Sequence, residues 1–251
     1  MEKQYHIGLG LEIDSEVVLL PGDPGRVEKI AAQLDQPRFL GQHREYLSWR
    51  GQIEGRNVLV MSTGMGGPST AIGVEELIKL GVKTFIRIGT CGGMDLSVQG
   101  GDVVIAQAAI RMEGTSHEYL PPEFPAVADH GLSSALAAAA ERLGYRHHIG
   151  VVHCKDSFYG QHSPETMPVA EHLLSRWQAW LRAHTLASEM ESAALYAVAQ
   201  TRGVKAACVL QAIWNQERQK QGLDDVKYEG ENRAIPVAIE AVRALIQAGQ
   251  I

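Results

Sequence analysis

Six apolar runs constrain this chain more than any other feature: Val17 to Leu20, Val58 to Ser62, Thr84 to Ile88, Asp102 to Ala106, Ile149 to His153 and Ala206 to Ile213. They are nearly continuous rather than alternating, and most are flanked by glycine. Such runs suit strands buried on both faces, as in a sheet covered by helices on each side. The fold class expected is therefore α/β. One segment departs from the pattern. Glu45 to Ile53 alternates apolar with polar residues, and Glu54-Gly55 then turns the chain into Val58 to Met61. That reads as an antiparallel hairpin, so the sheet should be mixed.

Helices fall between the runs. Asp23 before Pro24 predicts a capped helix through Val27 and Ile30 to Leu34. Pro68 opens another that Gly81 closes, and Leu132 to Leu143 ends at Gly144. A helix from near Glu189 to Gly203 and a last one over Ala234 to Ala248 complete the set. Pro164 and Pro168 interrupt the stretch from Gly160 to Leu181, which then becomes a helix carrying Trp177 and Trp180. No repeat, low-complexity tract or linker divides the 251 residues, so one domain over 1–251 is expected.

Composition narrows the partners. Lys plus Arg total 23 against 29 Asp plus Glu, a formal charge of −6, so no basic face is implied and no nucleic acid is expected. No stretch approaches the roughly 18 apolar residues of a membrane span, and Met1 to Gly10 lacks a signal-peptide pattern, so no membrane partner is expected. Cys91, Cys154 and Cys208 are odd in number and show no C-x-x-C spacing. Neither a disulfide framework nor a zinc site follows, and a reducing cytoplasm fits.

Glycine carries the functional signal. Of 26 glycines, many sit at strand ends in Pro21-Gly22-Asp23-Pro24-Gly25-Arg26, Gly64-Met65-Gly66-Gly67-Pro68 and Gly89-Thr90-Cys91-Gly92-Gly93. Any one cluster is explained by a tight turn. Three in series, two of them feeding a proline-started helix, point to an anion site where backbone N–H groups approach a ligand closely. Arg26 follows the first cluster, and Arg87 sits inside an otherwise apolar strand. A central-strand arginine either pairs with a buried carboxylate or faces an anion. Thr90, three residues on, favours the anion. Glu189 and Glu191 are either dipole complements in a first helical turn or, for one of the two, a carboxylate gripping vicinal hydroxyls. Phe158 offers a flat apolar face, and Gln161 an amide that both donates and accepts.

Read in order, Pro21-Gly22-Asp23-Pro24-x-Arg26, His43-Arg44-Glu45, Ser62-Thr63-Gly64-Met65-Gly66-Gly67-Pro68-Ser69, Arg87-Ile88-Gly89-Thr90 and Glu189-Met190-Glu191-Ser192 resemble the nucleoside phosphorylase family, nearest its bacterial uridine-cleaving branch. The resemblance implies a three-layer α/β/α sandwich around a mixed, partly barrel-like sheet. It also implies a dimer-based hexamer with sites shared between subunits, and inorganic phosphate as co-substrate with no organic cofactor. Phosphate would be held by Gly22, Arg26, Arg87 and Thr90, with Arg44 of the partner subunit. Ribose would meet Met190 and Glu191, with His6 of the partner subunit, while Glu76 would pair with Arg44. The base would lie among Cys91, Gly92, Phe158, Gln161 and Trp214. Arg87, Glu191 and Gln161 would carry the chemistry, and a potassium ion at the dimer interface would use Glu45, the Met65 carbonyl and Ser69.

The departures lie in the base pocket. The family places an arginine two residues after the glutamine, where this chain has Ser163, and a second where it has Gln216. Cys91 replaces a threonine, and Trp214 adds bulk. His162 is either a substitute donor or a solvated loop histidine. A uridine-like pyrimidine nucleoside is the expected substrate. A purine or modified nucleoside, hydrolytic base release, and a silent nucleoside-binding protein are the alternatives.

Overall fold

The computed structural model describes residues 3–223 and 227–251, so Met1, where the N-terminal reading began, lies outside them. Among the described residues ten strands form one mixed sheet: β1 (Val17–Pro21), β2 (Asp35–His43), β3 (Tyr46–Ile53), β4 (Arg56–Met61), β5 (Thr84–Gly93), β6 (Val103–Met112), β7 (Ala126–Val127), β8 (His147–Lys155), β9 (Ala187–Glu189) and β10 (Lys205–Asn215). Strand β5 pairs with β10 and β9, β10 with β6, β6 with β8, and β8 with β9. Those five strands close a ring. From β5 the sheet also runs outward as an open arm through β1, β4, β3 and β2. The expected mixed, partly barrel-like sheet is what the register shows.

Alternation along each strand feeds two apolar layers, because successive side chains point to opposite faces. Val18, Leu20 and Phe85 pack with the helices Gly67–Lys79 and Ser192–Arg202. Leu19, Ile86 and Ile88 pack on the other side with the helices Val27–Ala31, His130–Arg142 and Ala234–Gln247. Leu19 is fully buried, and trimming it to alanine is expected to cost about 2–5 kcal/mol, the range for emptying a close-packed core position.

Two readings change. The helix expected from Asp23 to Leu34 splits into a 3₁₀ turn at Pro24–Arg26 and the helix Val27–Ala31. Asp23 caps the turn by accepting from the Gly25 N–H at 2.9 Å, which leaves Arg26 at a corner rather than along a helix face. The helix expected from Glu189 begins at Ser192, and Glu189 itself ends β9. The Glu189 carboxylate accepts from the N–H groups of Glu191 and Ser192, which holds the chain extended up to that point. Within Gly160 to Leu181 lies the helix Ala170–Arg182, preceded by a short helix at Phe158–His162 whose Ser157 hydroxyl accepts from the Gly160 N–H.

Candidate active site

The turn after β1 and the carboxyl-terminal parts of β5, β8, β9 and β10 surround a cavity of about 670 Å³. At one end Gly22 faces Arg87. A Cβ added at Gly22 would lie 3.2 Å from the Gly64 carbonyl oxygen and 3.7 Å from Arg87 Nη1, so a side chain there would invade the space in front of the guanidinium. Arg87 is 5% exposed, and it pairs with two carboxylates: its Nε lies 3.2 Å from Glu189 Oε2, and its Nη2 contacts Glu191 Oε2. The pairing with buried carboxylates is present, and Nη1 of Arg87 and Nη1 of Arg26 are buried with no hydrogen-bond partner among the described residues. Unsatisfied buried donors are rare, and charged ones the more so. Two of them at one glycine turn, with Thr90 lining the same cavity, describe an anion cradle.

The two glutamates differ. Burial pushes the Glu189 carboxyl up, but Arg87, the Ser192 hydroxyl and the Glu191 N–H outweigh it and hold it below the ordinary range. Glu191 goes the other way: burial and the neighbouring Glu189 charge raise it against the pull of Arg87. Its Oε1 also accepts from the Gly66 N–H at 2.6 Å, tying the second glycine cluster to the site. The expectation that only one glutamate faces the pocket assumed a shared helix. With Glu189 on a strand and Glu191 on the turn after it, both reach Arg87.

The other end is flat and aromatic. Phe158, Gln161 and Trp214 line it, with Cys91 and Gly92 at the end of β5. His162 is half-buried and lines the cavity. Its ring sits 4.3 Å from that of Phe158 and stacks on Trp214 at 6.2 Å, and burial followed by repulsion from Lys155 lowers its pKa. Burial likewise pushes the Cys91 thiol up, so it stays neutral. Met190 and Glu191 also line the cavity.

Several anticipated residues are elsewhere. His6 and Arg44 line no part of this cavity in their own chain. Glu76, expected beside Arg44, accepts instead from the His6 and Ile7 N–H groups and contacts His6 Nδ1 at 2.7 Å. The reason is local: the N-terminal segment lies across the helix Gly67–Lys79, and its N–H groups reach that carboxylate first. Arg44 sits over the ring of Tyr5 at 5.8 Å. Glu45 and Ser69 flank Gly64, and the Ser69 hydroxyl donates to the Met65 carbonyl at 3.3 Å. Ser163 does not line the cavity, and Gln216 turns toward a neighbouring one.

A family model described as the phosphorylase superfamily matches residues 16–247. The chain belongs to that superfamily. It is 55% identical over 243 residues to a uridine phosphorylase of Treponema pallidum (strain Nichols), covering 97% of this chain and 94% of that protein. It is 39% identical over 247 residues to a uridine phosphorylase of Escherichia coli (strain K12), covering 96% and 98%. It is also 35% identical over 252 residues to a guanosine phosphorylase of Halorubrum lacusprofundi, covering 98% and 100%. These names share phosphorolysis and differ in the nucleoside.

Two cavity residues were missed in the sequence. Lys155 ends β8 at the aromatic end, and Ser188 lies across from it on β9. The expected strand stopped at His153; a charged residue two positions beyond an apolar run, just ahead of Asp156-Ser157-Phe158, was the available signal.

Proposed function

We propose that this protein is a nucleoside phosphorylase, a pentosyltransferase that cleaves the N-glycosidic bond of a uridine-like pyrimidine nucleoside with inorganic phosphate, releasing the base and pentose 1-phosphate. The observation that carries the reading is the pair of buried Nη1 groups of Arg26 and Arg87 at the Gly22 turn, unpartnered among the described residues. Guanidinium groups match phosphate oxygens bidentately and keep their charge, so they suit a dianion that must be held in one orientation. The catalytic domain spans 1–251, and the protein acts in the cytoplasm, where its three buried free cysteines stay reduced.

Gly22, Arg26, Arg87 and Thr90 hold phosphate on one face of the sugar, completed by Arg44 from a second copy. Glu191 and Met190 hold the ribose, with His6 from that copy at its far end. The raised Glu191 carboxyl leaves Arg87 for the sugar hydroxyls as phosphate takes its place. As the C1′–N bond breaks, its electron pair leaves with the base and the anomeric carbon becomes cationic. A phosphate oxygen then bonds to that carbon. Holding both reactants in near-attack geometry can supply roughly 7–11 kcal/mol, so no covalent nucleophile is required. Cys91, Gly92, Phe158 and Trp214 pack the base, and Gln161 donates to its carbonyl oxygen.

The Glu45 carboxylate, Met65 carbonyl and Ser69 hydroxyl are hard oxygen donors gathered about Gly64, and they fit a monovalent cation such as potassium at a dimer interface. The assembly proposed is a hexamer of such dimers, which light scattering measures directly. A panel of uridine, cytidine, guanosine, inosine and their 2′-deoxy forms, assayed with and without phosphate, tests the reaction and the base together. Base release that is equally fast without phosphate overturns the proposal. A purine preference is the second reading, favoured by the named guanosine phosphorylase relative, and the same panel decides it.

A further inference from the structure

The cavity is cationic at both ends, with Arg26 and Arg87 at the Gly22 turn and Lys155 at the aromatic end. We propose that Lys155 is a positioning residue of the base subsite: through Ser188 it orients and polarises Gln161 against the carbonyl oxygen on which the departing base gathers negative charge. This rests on the phosphorolytic reading above.

Lys155 is 6% exposed, lines both the main cavity and the neighbouring one of about 380 Å³, and pairs with no carboxylate among the described residues. Its Nζ donates to Ser188 Oγ at 2.8 Å, and Ser188 Oγ donates to Gln161 Oε1 at 2.7 Å. A hydroxyl has one proton and two lone pairs, so with that proton on Gln161 the third contact of Ser188, His153 Nδ1 at 3.0 Å, is a donor, in the tautomer whose Nε2, 3.2 Å from Met112 Sδ, carries no hydrogen. His153 can fill that role while neutral, and burial with the nearby Lys155 charge lowers its pKa to about 4. The relay therefore has one direction. Gln161 Oε1 is engaged from behind, and its Nε2 hydrogens are left for a ligand carbonyl.

The remaining charges point the same way. The Lys155 pKa is lowered, chiefly by burial, with Glu189 and Glu191 opposing part of that shift. The Phe158 ring lies 6.0 Å from Nζ. The two positions where the resemblance expects arginine hold Ser163, off the cavity, and Gln216, whose Nε2 donates to Glu217 at 3.2 Å. Lys155 is thus the buried cation available to that end. The class favoured is a base whose leaving electrons settle on an exocyclic oxygen beside the glycosidic nitrogen, a 2,4-dioxopyrimidine.

The test compares wild type, K155M, K155R and S188A on uridine and 5-fluorouridine at saturating phosphate. Fluorine stabilises the departing anion, so that substrate needs less help. K155M is expected to lower kcat on uridine about 100-fold, the usual loss when a preorganised donor is disabled, and on 5-fluorouridine by clearly less. KM for phosphate should stay within about twofold, because the arginine end is untouched. K155R should recover most of the rate, and S188A should show the same substrate bias at smaller amplitude. Equal losses on both substrates, a loss confined to KM, or undiminished turnover of K155M overturns the inference while leaving phosphorolysis standing. If K155M does not fold, S188A decides alone: a biased loss supports the relay, and an unbiased or absent loss overturns it. A wild type that releases no base with phosphate removes both proposals.

Discussion

The two ends of the cavity are built on opposite principles. At the Gly22 end, charge is concentrated and clamped: Arg87 is fixed by two carboxylates, and the glycine turn leaves its third nitrogen open. At the Phe158 end, a single ammonium is passed through a hydroxyl to a neutral amide, among aromatic rings. The first arrangement recognises a ligand of fixed charge and shape. The second recognises one whose charge appears only as a bond breaks, which suits an amide and a relay better than a permanent counter-ion. The relatives' names likewise share the phosphorylase and differ in the nucleoside.

Breaking the charged end should have the largest effect. R87A is expected to reduce phosphate-dependent turnover by at least about 10³-fold, at the upper end of what one preorganised donor contributes, read as kcat/KM for phosphate. The same change strands Glu189 and Glu191, so the melting temperature should fall as well, by the equivalent of about 3–5 kcal/mol. A turnover loss without destabilisation would mean that the two carboxylates find other partners.

The next comparison uses acidity. His153 has a folded pKa of about 4 against roughly 6.5 when unfolded, so the unfolded chain binds its proton first as pH falls. Stability tied to this group is complete above pH 6.5 and is lost between 6.5 and 4. H153Q should therefore flatten the decline across that window by about 3 kcal/mol relative to wild type, measured by urea unfolding at several pH values. Parallel curves would mean that His153 already carries its proton in the native state.

Exchange between subunits asks whether the charged end is completed from outside. R44A alone should cost about 100-fold in turnover, consistent with loss of one charge-assisted contact to phosphate. Mixing it with R87A subunits should restore activity, since one of the two sites in each mixed dimer regains both arginines. Absence of recovery after demonstrated exchange would confine Arg44 to a structural role over Tyr5. The smallest effect belongs to the aromatic end: F158A should raise KM for the nucleoside about tenfold and leave KM for phosphate alone, as loss of one stacking face predicts.

The charged end was the more legible in sequence, and the reason is physical. Arg87 stands out because an arginine in an apolar strand violates the pattern around it, and Gly22 because its cluster sits at a strand end. The ring of five strands was legible only as runs; its closure through β9, three residues long, rests on pairings distant in sequence. Strand β2 escaped notice because it is an edge strand whose residues are largely exposed, so it has no apolar alternation to read. At the base end, Phe158, Gln161 and Trp214 came from the resemblance as much as from their chemistry. Lys155 was passed over because a lysine at the end of a run looks like a solvated terminus. Its role depends on Ser188, 33 residues away on another strand.

The clamp on Arg87 has one more implication. A site that holds its own internal anion never stands empty in the electrostatic sense; Glu191 keeps the seat until a guest arrives. An anion that takes Nη1 alone leaves it in place, whereas one that grips the guanidinium with two nitrogens displaces it, which weakens the net hold on that anion.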